Sequence, residues 1–372
     1  MERFSDKKHD KTECFAEKCG AVFRKEARQN KRLGSFRDRT QAGTTLVASN
    51  ESMNRVVAIF GIHDPKQLLA FRPNTFLGQR RVIAADLLDD IEALQSLSLR
   101  DAYFERFIDH RGAFKRTYRN RFADFDQLIM EHWRAGAGRP PKPHILDVAV
   151  SDGSTTLDFA DVLDKETGGA FTLQATDLDA RYLVLRETAG ASRRVVVTEG
   201  GDVVQIVYPP FVFAQQRGAH SKLFPVNAVV RRAADVYANR LVAQWRAEDA
   251  AVHSLPIVVA NPEFRRRLAD DKRIAFNSWN VLTPWTGDPA HIVRAMNILN
   301  PGYFSLDQQV AVVHHLFDAL QDGGVFAAGS NGDAGSVVDG AIYQRRGERL
   351  EELQRTGAGL RCAEAVAKFN AR

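Results

Sequence analysis

The stretch from His144 to Asp179 constrains this 372-residue chain more than any other. HILDVAV (144–150) is a continuous apolar run of strand length. It passes through SDGSTT into LDFADVLDK (157–165), whose apolar residues recur at helical spacing, and FTLQATDLD (171–179) is a second strand. Strand, tight turn, helix and strand make a parallel βαβ unit, which in turn demands helices packed against a parallel sheet. The sequence therefore predicts an open α/β sheet.

Further elements extend it. ARYLVLRETA (180–189) predicts the next helix and HIVRAMNIL (291–299) a third buried strand. DQQVAVVHHLFDALQDGG (307–324) predicts a helix ending at the glycine pair 323–324, and VFAAGS (325–330) a fourth strand. GAIYQRRGERLEEL (340–353) predicts a last strand and a helix. The segment 195–270 interrupts this alternation: RRVVVTEGGDVVQIVYP reads as two strands around a turn, VNAVVRRAADVYANRLVAQW as one long helix.

Before the sheet, NRVVAIF (54–60) reads as a short strand. IAADLLDDIEALQSL (83–97), LRDAYFERFIDH (99–110) and FDQLIMEHW (125–133) carry apolar residues three and four apart, the pattern of helices with one buried face. AGAGRPPKP (135–143) breaks helices and marks a boundary. Three units are expected: a basic leader over 1–45, a mainly helical region over 46–138, and a sheet domain over 139–372 with an insertion at about 195–270.

Charge is concentrated in the leader. Residues 1–40 hold twelve Lys or Arg and seven Asp or Glu, a surplus equal to the net +5 of the whole chain. Such a leader is either a solvated tail or a contact for nucleic acid or an acidic partner, with the tail favoured. Three cysteines, Cys14 and Cys19 among them, fit neither a disulfide framework nor a common zinc pattern. No apolar run is long enough for a membrane helix and no signal peptide is readable, so a cytoplasmic protein is expected.

Ligands of an open α/β sheet bind beyond the carboxyl ends of its strands. After the first strand come Asp147, Ala149, Ser151 and Gly153, small residues that let a ligand approach the backbone. Neither GxGxxG nor GxxxxGK[ST] is present, which disfavours a dinucleotide or nucleoside triphosphate. The second strand ends in Asp177-Leu178-Asp179. An acid there either accepts hydrogen bonds from ribose hydroxyls or caps the helix predicted to follow.

These residues resemble the class I S-adenosylmethionine-dependent methyltransferases, and within them the chemotaxis-receptor glutamate methyltransferases. Val148-Ala149-Val150-Ser151-Asp152-Gly153 stands where that family has Ala-Gly-Cys-Ser-Thr-Gly, and Thr176-Asp177-Leu178-Asp179 resembles its Thr/Ser-Asp-Ile-Asp. Phe114-Lys115-Arg116 is similar to its Phe-Phe-Arg, and Asn280-Val281 and Met296-Asn297-Ile298-Leu299 to its Asn-Leu and Arg-Asn-Val-Leu. The likeness covers about 110–190 and 272–345. It implies a Rossmann-like methyltransferase sheet, mostly parallel with helices on both faces, after an N-terminal helical region. It also implies S-adenosyl-L-methionine as cofactor, held by Arg116, Asp147, Ala149, Ser151, Gly153, Asp177, Leu178, Asn280, Val281 and Asn297, with Arg116 on its carboxylate.

The implied acceptor is a small molecule or a protein, methylated on a carboxylate, amine or hydroxyl. Ala149 departs from the family's glycine, and 195–270 has no counterpart in it. Asn300-Pro301-Gly302-Tyr303 resembles the Asn/Asp-Pro-Pro-Tyr/Phe of amino-group methyltransferases, which makes Asn300 and Tyr303 candidates for the catalytic wall; plain turn chemistry is the alternative. A nucleic-acid methyltransferase using the leader, or a non-catalytic domain of the same fold, are the other readings. Of ten histidines none forms a metal motif, and His220 or His253 is the remaining candidate for a base.

Overall fold

The computed structural model describes residues 61–72, 82–93, 97–107, 115, 117–136, 139–188, 190, 192–214, 225–332 and 337–371. The leader, the strand expected at 54–60, Arg116 and His220 lie outside them. Two sheets organise the chain. The first is built on β1 (His144–Val148), β2 (Thr172–Asp177), β8 (Ile274–Ser278), β9 (Ala290–Met296), β10 (Leu320–Asn331), β11 (Val338–Arg346) and β12 (Arg349–Thr356), in the order β12-β11-β10-β9-β1-β2-β8. The β8-β2-β1-β9-β10 part is parallel, and β11 and β12 add an antiparallel edge. The chain steps from β1 to β2 on one side and returns on the other for β9, so the order reverses at β1. This is the mixed α/β, mostly parallel, Rossmann-like sheet expected from the sequence.

Both faces are covered. Helix α4 (Ala123–Ala135), α5 (Ser154–Thr167) and α7 (Pro262–Asp270) lie on one face, where Phe125, Ile129, Phe159, Leu163 and Phe264 pack with Ile145, Leu173 and Ile292. Helix α8 (Leu306–Asp318) and α9 (Ala363–Asn370) cover the other with Val313, Leu316, Val366 and Phe369. Helix α4 thus belongs to the sheet's core, and the boundary expected at 138 falls inside that packing unit. The Pro-rich 139–143 segment is only a joint.

The second sheet replaces the helix expected at 180–189. Residues Arg181–Glu187 form β3, because a short apolar run such as YLVL fits a strand buried on both faces as well as a helix. It pairs with β4 (Arg194–Thr198) and β7 (Val252–Val258); β5 (Val203–Tyr208) and β6 (Phe211–Ala214) complete the antiparallel order β6-β5-β4-β3-β7. The departure from the parallel sheet therefore spans 181–258 rather than 195–270. Side chains alternate between its faces. Tyr182, Val184 and Val196 pack on the N-terminal helices α1 (Pro65–Leu69), α2 (Leu88–Ala93) and α3 (Leu97–Arg106); Leu185, Val195 and Val197 pack on α6 (Pro225–Arg246).

Three more expectations change. Helix α8 stops at Asp318, and Gly323 (φ +74°) sits in an irregular part of β10 rather than at a helix end. The last strand and helix are a β-hairpin, β11 and β12, turning at Gly347. The helix expected at 83–97 is shorter: Ile83 bridges to Ile62, a 3₁₀ turn follows at Ala85–Leu87, and α2 begins at Leu88.

A buried ion cluster joins α4, β1 and β9. Arg294 of β9 donates from Nε and Nη2 to Asp126 of α4 at 2.8 and 3.2 Å, and from Nη1 to both oxygens of Asp147 at 3.0 and 3.1 Å. Thr156 donates to Asp147 Oδ2 at 2.9 Å. All three charged side chains are at most 1% exposed. Burial pushes the Asp126 carboxyl up to about 7, against the opposing pull of Arg294. Between roughly pH 4 and 7 the folded chain therefore holds a proton there that the unfolded chain has released, so this group's contribution to stability falls as pH rises through that window.

Replacing Arg294 with Met would leave the buried Asp147 and Asp126 carboxyl groups without their partner, an expected loss of about 3–5 kcal/mol in urea unfolding. Asp126→Asn should cost less and should flatten the fall in stability between pH 5 and 7 measured the same way.

Candidate functional site

A cavity of about 610 Å³ opens over the carboxyl ends of β1, β2, β8 and β9, around the reversal of strand order. Ten of the twelve residues singled out from the sequence line it: Asp147, Ala149, Ser151, Asp177, Leu178, Asn280, Val281, Asn297, Asn300 and Tyr303. Arg116 is outside the described residues, and Gly153 is not part of the lining.

The floor is the turn after β1. Its backbone is tied down by Val150 N–H to Thr176 O and by Gly153 N–H to Val150 O, both 3.0 Å. Ala149 (φ +58°) and Ser151 (φ +60°) take the left-handed conformation, which costs a non-glycine residue about 1–2 kcal/mol. Asn297 after β9 does the same at φ +59°. Five non-glycine residues have positive φ among the described residues, and these three line the cavity. Such strain persists where the surroundings impose it, and ligand sites are where it clusters. The Ser151 hydroxyl is buried and has no hydrogen-bond partner among the described residues.

Gly153 acts differently from expectation. A Cβ there would lie 2.1 Å from Phe264 Cδ1, and its φ is +80°. It is kept small by the ring of α7 beneath the turn, not by a ligand's path.

Asp177 closes the acidic end. No helix follows β2, so the capping alternative falls away. Its Oδ1 accepts from Lys115 Nζ at 2.6 Å and from Asp179 N–H at 3.3 Å, and its Oδ2 from Ser151 N–H at 2.8 Å. Lys115 also donates to Asp179 O at 2.7 Å and is itself buried. The sequence reading passed over Lys115 as a neighbour of Arg116.

The opposite end is basic. Arg121 donates from Nε to Asn331 at the end of β10 (2.6 Å) and weakly to Thr117 Oγ1 (3.4 Å), and its guanidinium lies 5.2 Å from the Phe122 ring centroid. Among the described residues no carboxylate pairs with it, and burial lowers its pKa. Asn300 Oδ1 accepts from Gly302 N–H at 2.9 Å, closing its own turn, and Tyr303 stands at the rim, 61% exposed. Trp279, edge-on to Trp285 at 5.0 Å, walls the β8 side. His315 donates from Nδ1 to Val281 O at 2.9 Å and so braces that loop from α8.

Asp147 lines the cavity but is bound to Arg294 and Thr156. Among the described residues no histidine lines the cavity: His144 and His291 sit at the amino ends of β1 and β9, and His253 lies on β7. No group of three or more His, Cys, Asp or Glu could hold a metal among the described residues. Arg294 was legible in principle, since one charge inside an apolar central strand requires a buried partner.

No family profile matches the chain, and no curated protein does. Among solved structures it is similar to the N-methyltransferase NodS of Bradyrhizobium japonicum crystallised with S-adenosyl-l-homocysteine, at 10% identity and a TM-score of 0.27 over 58% of this chain. It spans 65% of NodS. It is similar to an S-adenosylmethionine-dependent methyltransferase of Clostridium acetobutylicum at 10% identity and TM-score 0.30, covering 68% of this chain and 80% of that one. For CalS10, an amino pentose methyltransferase of Micromonospora echinaspora, the values are 12%, 0.27, 63% and 75%.

The turn geometry sets two opposite expectations. Ala149→Gly should raise unfolding stability by about 1 kcal/mol, because glycine adopts the left-handed region freely. Gly153→Ala should lower it by about 1–3 kcal/mol through the clash with Phe264; urea titrations of the two variants report both.

Proposed function

We propose that this chain is an S-adenosylmethionine-dependent methyltransferase acting on a small-molecule or protein acceptor. The observation that carries this is the cavity at the reversal of strand order, with the left-handed Ala149 and Ser151 turn as floor and Asp177 at its β2 end. The donor set suits a nucleoside bearing an amino-acid tail. Asp177 retains accepting capacity on Oδ2, and among the described residues the Ser151 hydroxyl lacks a partner and Arg121 is in no salt bridge. In this reading Asp177 takes a ribose hydroxyl, Leu178, Asn280 and Val281 border the adenine, and Arg121 takes the carboxylate in the role that the family resemblance gives to Arg116.

When bound, S-adenosylmethionine supplies an electrophilic methyl group on a sulfonium. The chain's task is to hold the acceptor in line with that group and to keep water out. Asn297, Asn300 and Tyr303, after β9, border the remaining space and serve as the acceptor wall. Asn300 fixes the turn through Gly302, and the exposed Tyr303 ring offers a face at the entrance. Among the described residues the cavity offers no uncommitted base: Asp147 is bound to Arg294, Asp177 to Lys115, and no histidine lines it. A hydroxyl acceptor needs a base near neutrality and an amine must first lose its ammonium proton, whereas a carboxylate is already ionised. Of the acceptors the resemblance implies, a carboxylate asks least of the described lining, because it is already ionised.

Calorimetry with S-adenosylhomocysteine tests this reading. The full chain should bind it stoichiometrically, and Asp177→Asn should weaken it by about tenfold or more. Arg121→Gln should weaken S-adenosylhomocysteine similarly but leave 5′-methylthioadenosine, which has no carboxylate, unchanged. Absence of binding heat and of any melting-point shift in the folded wild type would sink the reading.

A further inference from the structure

Recognition of a ribose by a carboxylate at the end of the second strand normally needs that carboxylate to accept from both hydroxyls. Asp177 lacks the capacity. A carboxylate offers about four lone-pair sites. Lys115 Nζ and Asp179 N–H occupy Oδ1, at 2.6 and 3.3 Å, and Ser151 N–H occupies one site of Oδ2, at 2.8 Å. One site remains. Lys115 is in the complementary position. Its ammonium has three donors; two go to Asp177 Oδ1 and Asp179 O, and the third has no partner among the described residues. Lys115 is 2% exposed and lines the cavity beside Asp177, so water is a poor substitute for that missing partner.

We propose that the Lys115–Asp177 ion pair, rather than the carboxylate alone, reads the vicinal diol of the nucleoside: one hydroxyl donates to Asp177 Oδ2, and its neighbour accepts from the Lys115 ammonium. This rests on the reading that S-adenosylmethionine occupies the cavity. A cis-diol satisfies a donor and an acceptor held side by side, and a sugar lacking either hydroxyl leaves one charged group unsatisfied. The pair also explains why a lysine is tolerated here despite near-complete burial, since its charge meets a carboxylate, a carbonyl and a ligand oxygen. The bland alternative is that Lys115 merely ties its segment to the end of β2, in which case the sugar does not feel it.

Calorimetry on the full chain separates the two with S-adenosylhomocysteine and its 2′-deoxy and 3′-deoxy analogues. Wild type should lose about tenfold or more with either analogue, because each removal leaves a charged partner unmet. Lys115→Met should bind S-adenosylhomocysteine about tenfold more weakly and lose the penalty for one hydroxyl while keeping the other. Lys115→Arg, which keeps donors, should retain both penalties in part. Unchanged penalties in Lys115→Met, or full-strength binding of S-adenosylhomocysteine by it, would overturn the proposal. The wild-type arm needs no variant: if either deoxy analogue binds as tightly as the parent, the paired reading is wrong. Failure of wild type to bind the parent ligand at all would instead refute the cofactor assignment itself.

Discussion

Arg294 is the hinge on which the rest of the architecture turns. One guanidinium holds a helix that precedes the sheet, the first strand and the fourth parallel strand together, by four hydrogen bonds to Asp126 and Asp147. Aromatic rings close the cluster: Phe122 and Phe159 lie 5.6 and 5.0 Å from the guanidinium carbon. Hydrophobic side chains of similar volume would pack that space at less cost in desolvation. The ion cluster brings register instead. Asp147 stands opposite Arg294 in the β1–β9 ladder, so a slip of either strand would break the pair and misplace the turn that follows β1.

The site grows from that register. The β1 turn, the Asp177 carboxylate and the loop after β9 are three strand ends, and their spacing is that of the sheet. The N-terminal region contributes as well: Lys115 and Arg121 supply cations at the two ends of the cavity. The polarity from carboxylate to guanidinium runs across the strands, from the β2 end to the β10 end. A ligand with hydroxyls at one end and a carboxylate at the other would match that polarity.

Much of this was legible in the sequence where local pattern and burial agree. HILDVAV and FTLQATD are apolar enough to be central strands in any register, and the small residues between them mark the turn. The failures have one physical origin. YLVL in β3 and the LQDGG segment of β10 are short apolar or glycine-bearing stretches whose partners are far away in sequence, so local spacing could not choose helix or strand. The site followed the same division. Asp177 and the β1 turn announce themselves by position, whereas Lys115 matters only because chain folding brings it to a strand end sixty-two residues further on.

The inserted antiparallel sheet leaves the parallel one after Asp179 and rejoins it at Asn261, which caps α7 and donates to Ser154 Oγ at 3.0 Å. Its first and last strands, β3 and β7, run side by side, so entrance and exit of the insert are adjacent. Closing β2 against β8 across roughly a hundred unstructured residues would carry an entropic cost of about 4 kcal/mol. Once the insert has formed its own ladder, the same closure spans only short links. The antiparallel insert thus shortens the loop that joins β2 to its edge neighbour β8.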